Sequence, residues 1–424
     1  MPQVPDRRAS RSAADLVPRS IAPRLLEALS DSRAVAVVGP RQAGKTTLVR
    51  DLIGADYPAT YLTLDEAATR AAAKSDPTGM VADMTPPMIV DEIQRVPDLL
   101  LSIKERLDRD DRPGQFLITG SANIQTLPTI RDALPGRVEY VQLWPFAQSE
   151  LERTPGGLID MLFGGGESRV VDAGEDRRQV ASRIAAGGFP GAFRRTQSSR
   201  ARFFEAYVDS VIGRDVPDVA RTRDASRVGR LLRLLAGRSA SLLSREGLAG
   251  DLAVDRKTVD HDLRILQDLM LVRVHQPWHS NLSKRELKTP KAYVADTGMM
   301  TALVGSNADR IATDPSVTGM AFETFVVMEL VKLSSWATTS AKLFHYRDRD
   351  DREVDVILER ADGTVVGIEM KAAATAVSGD FKALAYLRDR LGSRFLLGAL
   401  LYTGGRALPF GDRLRALPIS SLWS

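Results

Sequence analysis

A short glycine-rich segment near the start of the chain has the residue types and spacing of a phosphate-binding loop. The sequence Gly39-Pro-Arg-Gln-Ala-Gly-Lys45-Thr46 fits the pattern GxxxxGK[ST] at every position. Glycines let successive backbone N–H groups face phosphate oxygens, and the start of the following helix favours negative charge. In this pattern the lysine reaches the β- and γ-phosphates and the threonine hydroxyl binds Mg²⁺. We therefore predict that ATP binds to a loop made of Gly39, Pro40, Arg41, Gln42, Ala43, Gly44, Lys45, Thr46 and Thr47.

Two adjacent acidic residues, Asp91 and Glu92, follow the apolar run Met88-Ile-Val90. At the carboxyl end of a strand beside a phosphate loop, an aspartate holds Mg²⁺ and a following glutamate polarises the attacking water. Asp-Glu after an apolar run is by itself a common strand end, but its place downstream of the loop favours hydrolysis. We predict that Thr46 and Asp91 bind the metal, that Glu92 is the general base, and that Lys45 contacts the reacting phosphates.

Further polar residues are candidates to complete this site. The predicted strand 116–119 is followed by Ser121 and Asn123, either of which could hydrogen-bond the γ-phosphate or the water. An ordinary polar turn explains each of them equally well. Arg131 and Arg137 are candidates for an arginine finger that acts across a subunit interface, and that role makes a homo-oligomer a candidate assembly.

Strands alternating with helices are needed to bring these residues together. Apolar, β-branched runs predict strands at 34–38, 60–64, 88–93, 116–119 and 138–143, with helical patterns between them. This alternation indicates a parallel α/β sheet of the P-loop NTPase type, with the phosphate loop at its carboxyl edge. Helical patterns then dominate up to residue 271, and a second α/β unit with helices at 319–334 and 379–391 ends the chain.

The stretch 244–269 predicts a helix–turn–helix, and the strand 271–274 after it would begin a wing. The exposed face of the second helix mixes basic and acidic side chains, namely Arg256, Lys257, His261 and Arg264 with Asp255, Asp260 and Asp262. A helix that reads DNA offers basic and amide groups to base edges. DNA binding and protein packing by this winged-helix-like segment therefore both stay open.

Four residues in the last third of the chain have the types of a metal-dependent nuclease site. Asp355 lies in one predicted strand, and Glu369 and Lys371 lie on one face of the next because side chains repeat every two residues. Glu323 on the preceding helix supplies a third carboxylate. Carboxylates bind Mg²⁺, and a lysine can position water for attack on a phosphodiester. This order resembles the PD-(D/E)xK nuclease fold, including Holliday-junction resolvases, some relatives of which keep the fold without cutting DNA.

The motifs together resemble a known prokaryotic family. GPRQAGKTT at 39–47, VDEIQ at 90–94, TGSAN at 119–123 and LPGRV at 134–138 are similar to AAA-type ATPases of the AAA_14 group. GGFPGAFRR at 187–195 is similar to the lid of signal-transduction-type AAA ATPases, which implies that Pro190 lies near the base. KAYVADTG at 291–298 resembles DUF4143, a domain of unknown function that accompanies this ATPase.

The resulting domain prediction has five parts: a flexible tail (1–20), an AAA-type ATPase core (21–150), a lid and helical region (151–225), a winged-helix-like region (226–290) and a DUF4143 nuclease-like domain (291–424). The absence of cysteine excludes disulfides, thiol nucleophiles and cysteine-bound metals. A net charge of +4 permits DNA as a partner without requiring it. The start of the chain lacks the apolar segment of a secretory signal, and no apolar run approaches the roughly 18 residues of a membrane helix. We expect a cytoplasmic protein with no membrane partner.

Two functions follow. The first is a Mg²⁺-dependent ATPase coupled to a nuclease-like, DNA-interacting C-terminal domain. The alternative is a nucleotide switch whose winged-helix and C-terminal domains bind protein partners without cutting DNA.

Overall fold

The computed structural model describes residues 16–120, 136–164, 174–219, 224–280 and 289–424. Within them, the N-terminal part is an α/β domain around a five-stranded sheet of order β2-β3-β4-β1-β5, in which all pairings are parallel. Its strands are β1 (Ala34–Val38), β2 (Thr60–Thr63), β3 (Met88–Asp91), β4 (Phe116–Gly120) and β5 (Val138–Gln142). The predicted parallel α/β sheet is confirmed, and it is consistent with a P-loop AAA domain.

Helices cover both faces of this sheet, which is why the inner strand β1 is a continuous apolar run. Ala34, Ala36 and Val38 pack into the core on one face, and Val35 and Val37 into the core on the other. Because the strands are parallel, their carboxyl ends share one edge, where the phosphate loop and the end of β3 lie. The helices of this domain span Ala22–Asp31, Lys45–Thr47 (continued by a π-helical turn to Leu52), Ala67–Ser75, Pro77–Asp83 and Leu99–Leu107, and a 3₁₀ turn spans Ile93–Arg95.

The middle of the chain is mostly helical and includes a small antiparallel sheet. As far as the described residues show, this sheet has the order β6-β8-β7, with β6 at Ser241–Leu242, β7 at Val272–His275 and β8 at Lys291–Val294. The predicted helix pair is present as Arg245–Leu252 and Arg256–Asp268. The other helices span Gln148–Glu152, Leu158–Phe163, Arg177–Ala186, Gln197–Ser210 (continued by a π-helical turn to Asp215), Val216–Val219 and Ala225–Gly237.

The C-terminal part is built on a second sheet, of order β13-β14-β12-β11-β10-β9 among the described residues. Its strands are β9 (Ala341–Arg347), β10 (Glu353–Arg360), β11 (Val365–Lys371), β12 (Phe395–Tyr402), β13 (Leu408–Pro409) and β14 (Leu414–Pro418). The strands β9, β10 and β11 are antiparallel neighbours, whereas β11, β12 and β14 are parallel. The helices span Thr297–Leu303, Ala308–Thr313, Pro315–Ser334 and Lys382–Leu391.

The helix Pro315–Ser334, called the long helix below, lies inside one hydrophobic core that joins the middle helices to the second sheet. It buries side chains around its whole circumference, so its apolar character reflects packing on all sides. In the part of the chain that the structure describes, no helix combines the length and apolar character needed to cross a membrane.

Candidate functional site

The phosphate-loop segment makes a tight turn between β1 and the helix that begins at Lys45. Gly44 has a φ of +99°, a left-handed conformation that residues with a Cβ rarely adopt. At Gly39, a Cβ atom would lie 2.2 Å from the carbonyl oxygen of Leu143, just after β5. Backbone geometry therefore requires glycine at both ends of the turn.

The ammonium group of Lys45 lies inside this turn. The residue is 4% exposed, and its Nζ donates to the carbonyl oxygens of Gly39 at 3.0 Å and Pro40 at 3.1 Å. Burial lowers the pKa of Lys45, and the nearby carboxylates of Glu92 and Asp91 oppose that shift. An ammonium has three donors, so two carbonyl contacts leave one for a phosphate oxygen.

Asp91, at the end of β3, receives hydrogen bonds from three hydroxyl groups. The Thr46 hydroxyl donates to Oδ2 at 3.0 Å, and the Tyr61 hydroxyl donates to the same oxygen at 2.6 Å. The Thr119 hydroxyl donates to Oδ1. These contacts link the loop helix, β2 and β4 to one buried carboxylate, and the predicted pair Thr46 and Asp91 lies together. Tyr61 and Thr119 were not predicted, because their only sequence signal is a polar side chain in a strand.

Glu92 follows with an unusual backbone. Its φ of +61° and ψ of +45° are left-handed, a conformation that is strained for a residue with a side chain. Its N–H donates to the Thr119 hydroxyl at 3.2 Å, and its carboxylate accepts from the side-chain amide of Gln94. Thr119 therefore contacts both acidic residues, and its hydrogen bond to the N–H of Glu92 stabilises the left-handed turn at that residue.

A cavity of about 540 Å³ opens beside the phosphate loop. Gly44 and Thr47 lie on one side of it and Pro190 on the other. Phe146 and Phe193 add aromatic surface to the wall. The structure thus places Pro190 next to the loop, in a space that a planar base could enter.

Arg19 was not predicted, yet it ties the loop to this cavity. The residue is buried, and its guanidinium donates to the carbonyl oxygens of Ala43 at 3.0 Å and Trp144 at 2.5 Å and to the Glu150 carboxylate at 3.0 Å. The same group lies over the Phe146 ring, 4.7 Å from its centroid. Arg19 lies in a segment expected to be a flexible tail (1–20), and no spacing or periodicity marks it.

The segment that carries Pro190 is attached to a residue far along the chain. The N–H of Gly188 donates to Asp296 Oδ2 at 2.7 Å, and Asp296 Oδ1 accepts from Met299 N at 2.9 Å, which caps the helix Thr297–Leu303. Burial raises the pKa of Asp296. At Gly187, with φ +64°, a Cβ would lie 2.4 Å from Asp296 Oδ1. The two motifs GGFP and VADTG therefore form one contact.

Of the remaining candidates for the ATPase site, the structure describes Arg137. Ser121, Asn123 and Arg131 lie outside the described residues. Arg137 precedes β5 at the amino edge of the sheet and pairs with Asp108. With a strand rise of about 3.3 Å per residue, β5 separates it from the loop edge by roughly 15 Å. The structure does not bring Arg137 to its own chain's loop, and a role across a subunit interface stays a prediction.

The carboxylates predicted for the second site lie close together between the long helix and the second sheet. Val356 pairs with Ile368, so Asp355 and Glu369 lie next to each other just beyond that pair, and their carboxyl groups interact. Asp355 also accepts from the backbone N–H of Met370 at 2.9 Å. Burial raises the pKa of both acids, and for Glu369 the neighbouring Asp355 adds to it.

Glu323 completes this group from the long helix. Its Oε1 accepts from the Tyr293 hydroxyl at 2.8 Å and from Lys291 Nζ at 2.7 Å. Burial, and secondly the charge of Asp355, raise the pKa of Glu323 to about 7. Glu323, Asp355 and Glu369, together with Glu353 on β10, are called the carboxylate cluster below.

The lysine predicted for this cluster lies elsewhere. Lys371 forms an ion pair with Asp380 and has a half-exposed side chain. The ammonium among the carboxylates belongs to Lys291 of β8, which contacts Glu323 and Glu353. Over the described residues, no group of three or more His, Asp or Glu side chains is arranged to hold a metal ion.

The second helix of the predicted helix–turn–helix, for which DNA binding and protein packing both stay open, forms ion pairs with the first helix. Arg256 pairs with Glu246 at 3.0 Å, and Asp260 pairs with Arg245 at 2.6 Å. Exposed pairs of this kind contribute little to stability, but they occupy basic side chains that would contact phosphate.

Comparisons with known proteins match three segments of the chain. Residues 31–152 match the model of an AAA domain, residues 177–310 match a domain of unknown function (DUF8612), and residues 318–422 match a domain of unknown function (DUF4143). Two mycobacterial proteins, uncharacterized protein Rv2008c of Mycobacterium tuberculosis and uncharacterized protein Mb2031c of Mycobacterium bovis, are each 31% identical over 410 residues, covering 95% of this chain and 84% of the relative. The chain therefore belongs to the same family as these two mycobacterial proteins, and it is an AAA-like ATPase with a C-terminal DUF4143 domain.

Proposed function

We propose that the protein binds and hydrolyses ATP at the loop 39–47, with Lys45 on the phosphates and Glu92 as general base. Two neighbouring contacts carry this proposal. The buried ammonium of Lys45 donates to two carbonyl oxygens of the loop, and the hydroxyl of Thr46 donates to the carboxylate of Asp91. A strand–turn–helix corner without a ligand has no need to bury an ammonium, because burial of a charge is costly. Pro190 and the cavity beside Gly44 accommodate the base.

The residues at the end of β3 fit Mg²⁺. The Thr46 hydroxyl and the Asp91 carboxylate are hard oxygen donors, which this ion prefers, and they already lie 3.0 Å apart. Bound there, Mg²⁺ would neutralise charge on the phosphates. Glu92 takes the proton of the attacking water, and Thr119 holds Glu92 and Asp91 in their relative positions.

ATP binding and turnover of matched variants test this function. Lys45→Ala abolishes binding or hydrolysis, whereas Glu92→Gln keeps binding and accumulates bound ATP. Lys74→Ala, at an exposed position of the helix Ala67–Ser75, serves as the control that removes a lysine without touching the loop. Normal hydrolysis by Glu92→Gln would refute the general-base assignment.

The second part of the proposal is that the C-terminal domain contacts DNA and is PD-(D/E)xK-like. Convergence of Glu323, Asp355 and Glu369 from the long helix and two antiparallel strands supports it. The order helix, β6, two helices, β7 and β8 supports a winged helix in the middle region. With Lys291 among the carboxylates the cluster does not fit Mg²⁺, so no cleavage step is derived. Incubation of plasmid and branched DNA with Mg²⁺ or Mn²⁺, with and without ATP, tests cutting, and Asp355→Ala is the matched variant.

Two observations favour the alternative, a nucleotide switch that binds protein partners without cutting DNA. Lys371 is engaged by Asp380, and Arg256, at the start of the helix Arg256–Asp268, is paired with Glu246. Absence of metal-dependent cutting, together with ATP turnover that no form of DNA stimulates, would favour the switch over the nuclease.

A further inference from the structure

A helix of the middle region holds the phosphate loop at Arg41. The Arg41 guanidinium donates to Asp215 Oδ1 at 2.6 Å, and the carbonyl oxygen of Arg41 accepts from the Tyr207 hydroxyl at 3.2 Å. Both partners belong to one helical segment, the helix Gln197–Ser210 with its π-helical continuation to Asp215. The side chain and the backbone of a single loop residue are therefore fixed by the same element.

These contacts lie beside a strained point of the loop. Gln42, the residue after Arg41, has a φ of +61°, a left-handed conformation that is uncommon for a residue with a Cβ and that persists where its surroundings enforce it. The Arg41 carbonyl group and the Gln42 N–H share one planar peptide unit, so the hydrogen bond from Tyr207 also fixes the direction of that N–H. Left-handed residues in such turns bring backbone N–H groups to one concave, anion-binding surface. The contact from Tyr207 thus stabilises the loop shape on which phosphate binding depends.

The ion pair between Arg41 and Asp215 acts on the same site through its charges. Asp215 is 7% exposed, and a buried carboxylate is stable only with a partner such as this guanidinium. Burial lowers the pKa of Lys45, and among the smaller causes Arg41 lowers that pKa further whereas Asp215 raises it. The pair therefore lies within electrostatic range of the lysine proposed to contact the phosphates.

Tyr207 also packs against the segment that carries Pro190. Its ring centroid lies 4.9 Å from that of Phe189, the residue before Pro190. Asp215 ends the π-helical turn Val211–Asp215, and π-helical turns are rare and are found frequently at functional sites. One segment of the middle region thus contacts both the phosphate loop and the wall of the cavity beside it.

We propose that Tyr207 and Asp215 are positioning residues of the ATP site, which hold the loop 39–47 in the conformation that receives phosphate. The inference rests on the proposed ATP binding and extends it, because it makes the middle region a part of the nucleotide site. By linkage, a contact that favours the binding-competent loop is itself strengthened when ATP binds. Nucleotide binding therefore tightens the junction between the ATPase core and the segment from Gln197 to Asp215.

Titration of the full-length protein with a fluorescent, non-hydrolysable ATP analogue and Mg²⁺ tests this proposal without any need for turnover. Asp215→Asn should weaken binding at least about tenfold and Tyr207→Phe about two- to tenfold, as expected for losing a hydrogen bond with and without charged partners. Arg41→Met should weaken binding about as much as Asp215→Asn. The double variant of Arg41 and Asp215 should bind no more weakly than either single variant, because the two residues act as one pair.

Asp262→Asn is the matched control for these variants. Asp262 is buried in the same region and pairs with Arg227 at 2.6 Å, the same length as the pair between Arg41 and Asp215. It should lose stability, measured by thermal unfolding, and keep the wild-type affinity for the analogue. A merely structural role of Asp215 would give the same result as this control.

Hydrogen exchange of the amides in Val211–Asp215, followed by mass spectrometry, provides a second readout. The analogue should slow this exchange in wild type and in Asp262→Asn but not in Asp215→Asn. Wild-type affinity in both Asp215→Asn and Tyr207→Phe would overturn the proposal, and so would tighter binding by Asp215→Asn. If Asp215→Asn does not fold, Tyr207→Phe and Arg41→Met decide the question. A wild-type protein that binds no analogue would instead refute ATP binding itself, which distinguishes the two failures.

Discussion

Replacement of Thr119 by valine tests how the ATPase site is held together. Thr119 is fully buried, and its hydroxyl donates to Asp91 and accepts the N–H of Glu92. Valine keeps the shape and removes both contacts. A hydrogen bond to a charged group contributes about 1.5–3 kcal/mol and a neutral one about 0.5–1.5 kcal/mol, so we expect the free energy of unfolding to fall by about 2–4 kcal/mol.

The effect on catalysis is separable from that on stability. Because the left-handed turn at Glu92 loses its hydrogen bond, the general base is less well positioned, and kcat should fall at least about tenfold, which corresponds to about 1.4 kcal/mol in the barrier. ATP affinity should change little, since the loop 39–47 is untouched. Urea unfolding gives the stability, and steady-state turnover with fluorescent-nucleotide titration separates kcat from binding.

Tyr61→Phe is the matched control for this experiment. The Tyr61 hydroxyl donates to Asp91 Oδ2 at 2.6 Å, but it does not accept the N–H of Glu92, which donates to Thr119. The control should therefore lose stability without the same loss of kcat. If Thr119→Val turned over ATP at the wild-type rate, or if both variants lost kcat equally, the positioning role assigned to Thr119 would be wrong.

Four further changes have defined outcomes. Gly39→Ala should weaken binding of a fluorescent ATP analogue at least about tenfold, because the new Cβ would lie 2.2 Å from the Leu143 carbonyl oxygen. Lys332→Met should lower the free energy of unfolding in urea by about 3–5 kcal/mol, because it leaves buried Glu329 without its cation. The pKa of Glu323 is raised from an ordinary 4.5 to about 7, so between these pH values the folded protein holds a proton on Glu323 that the unfolded chain has lost. The protonated carboxyl group therefore contributes to the free energy of unfolding at low pH, and this contribution is lost as the pH rises from 4.5 through 7. In urea unfolding, Glu323→Gln should reduce the change in the free energy of unfolding between pH 5 and 8 by roughly 2–3 kcal/mol. Arg137→Ala should lower turnover measured at high protein concentration while leaving ATP affinity unchanged, if it acts across a subunit interface.

Much of the ATPase sheet could be predicted from sequence because its three inner strands are buried on both faces. The run 34–38 has the bounds of β1, since a fully buried parallel strand reads as uninterrupted apolar residues. The strand β13 was missed because two residues carry no periodicity, and β14 was missed because Arg415 and Pro418 interrupt its apolar residues. β8 was missed as well, although its apolar residues are as buried as those of β1.

The sites were harder to predict, because their contacts join residues that are distant in sequence. Alternation correctly puts Asp355 beside Glu369, since that pairing needs only a hairpin. It cannot reveal that Asp380 engages Lys371 or that Lys291 enters from another sheet. Arg19 is a similar case, because its partners Ala43 and Glu150 are brought to it only by the finished fold.

The long helix connects the surroundings of both sites. Glu323 on this helix binds Lys291 at the carboxylate cluster, and Lys332, about 13 Å further along the axis, donates to the carbonyl oxygen of Phe146 at 3.0 Å. Phe146 lines the cavity beside the phosphate loop. Glu329 of the same helix pairs with Lys332 and accepts from the N–H of Gln148 at 2.7 Å. Because a buried helix is stiff, a displacement of Lys332 relative to Phe146 would also shift Glu323 relative to Lys291. Variants of Glu323 and Lys291 should therefore be assayed for ATP turnover as well as for stability.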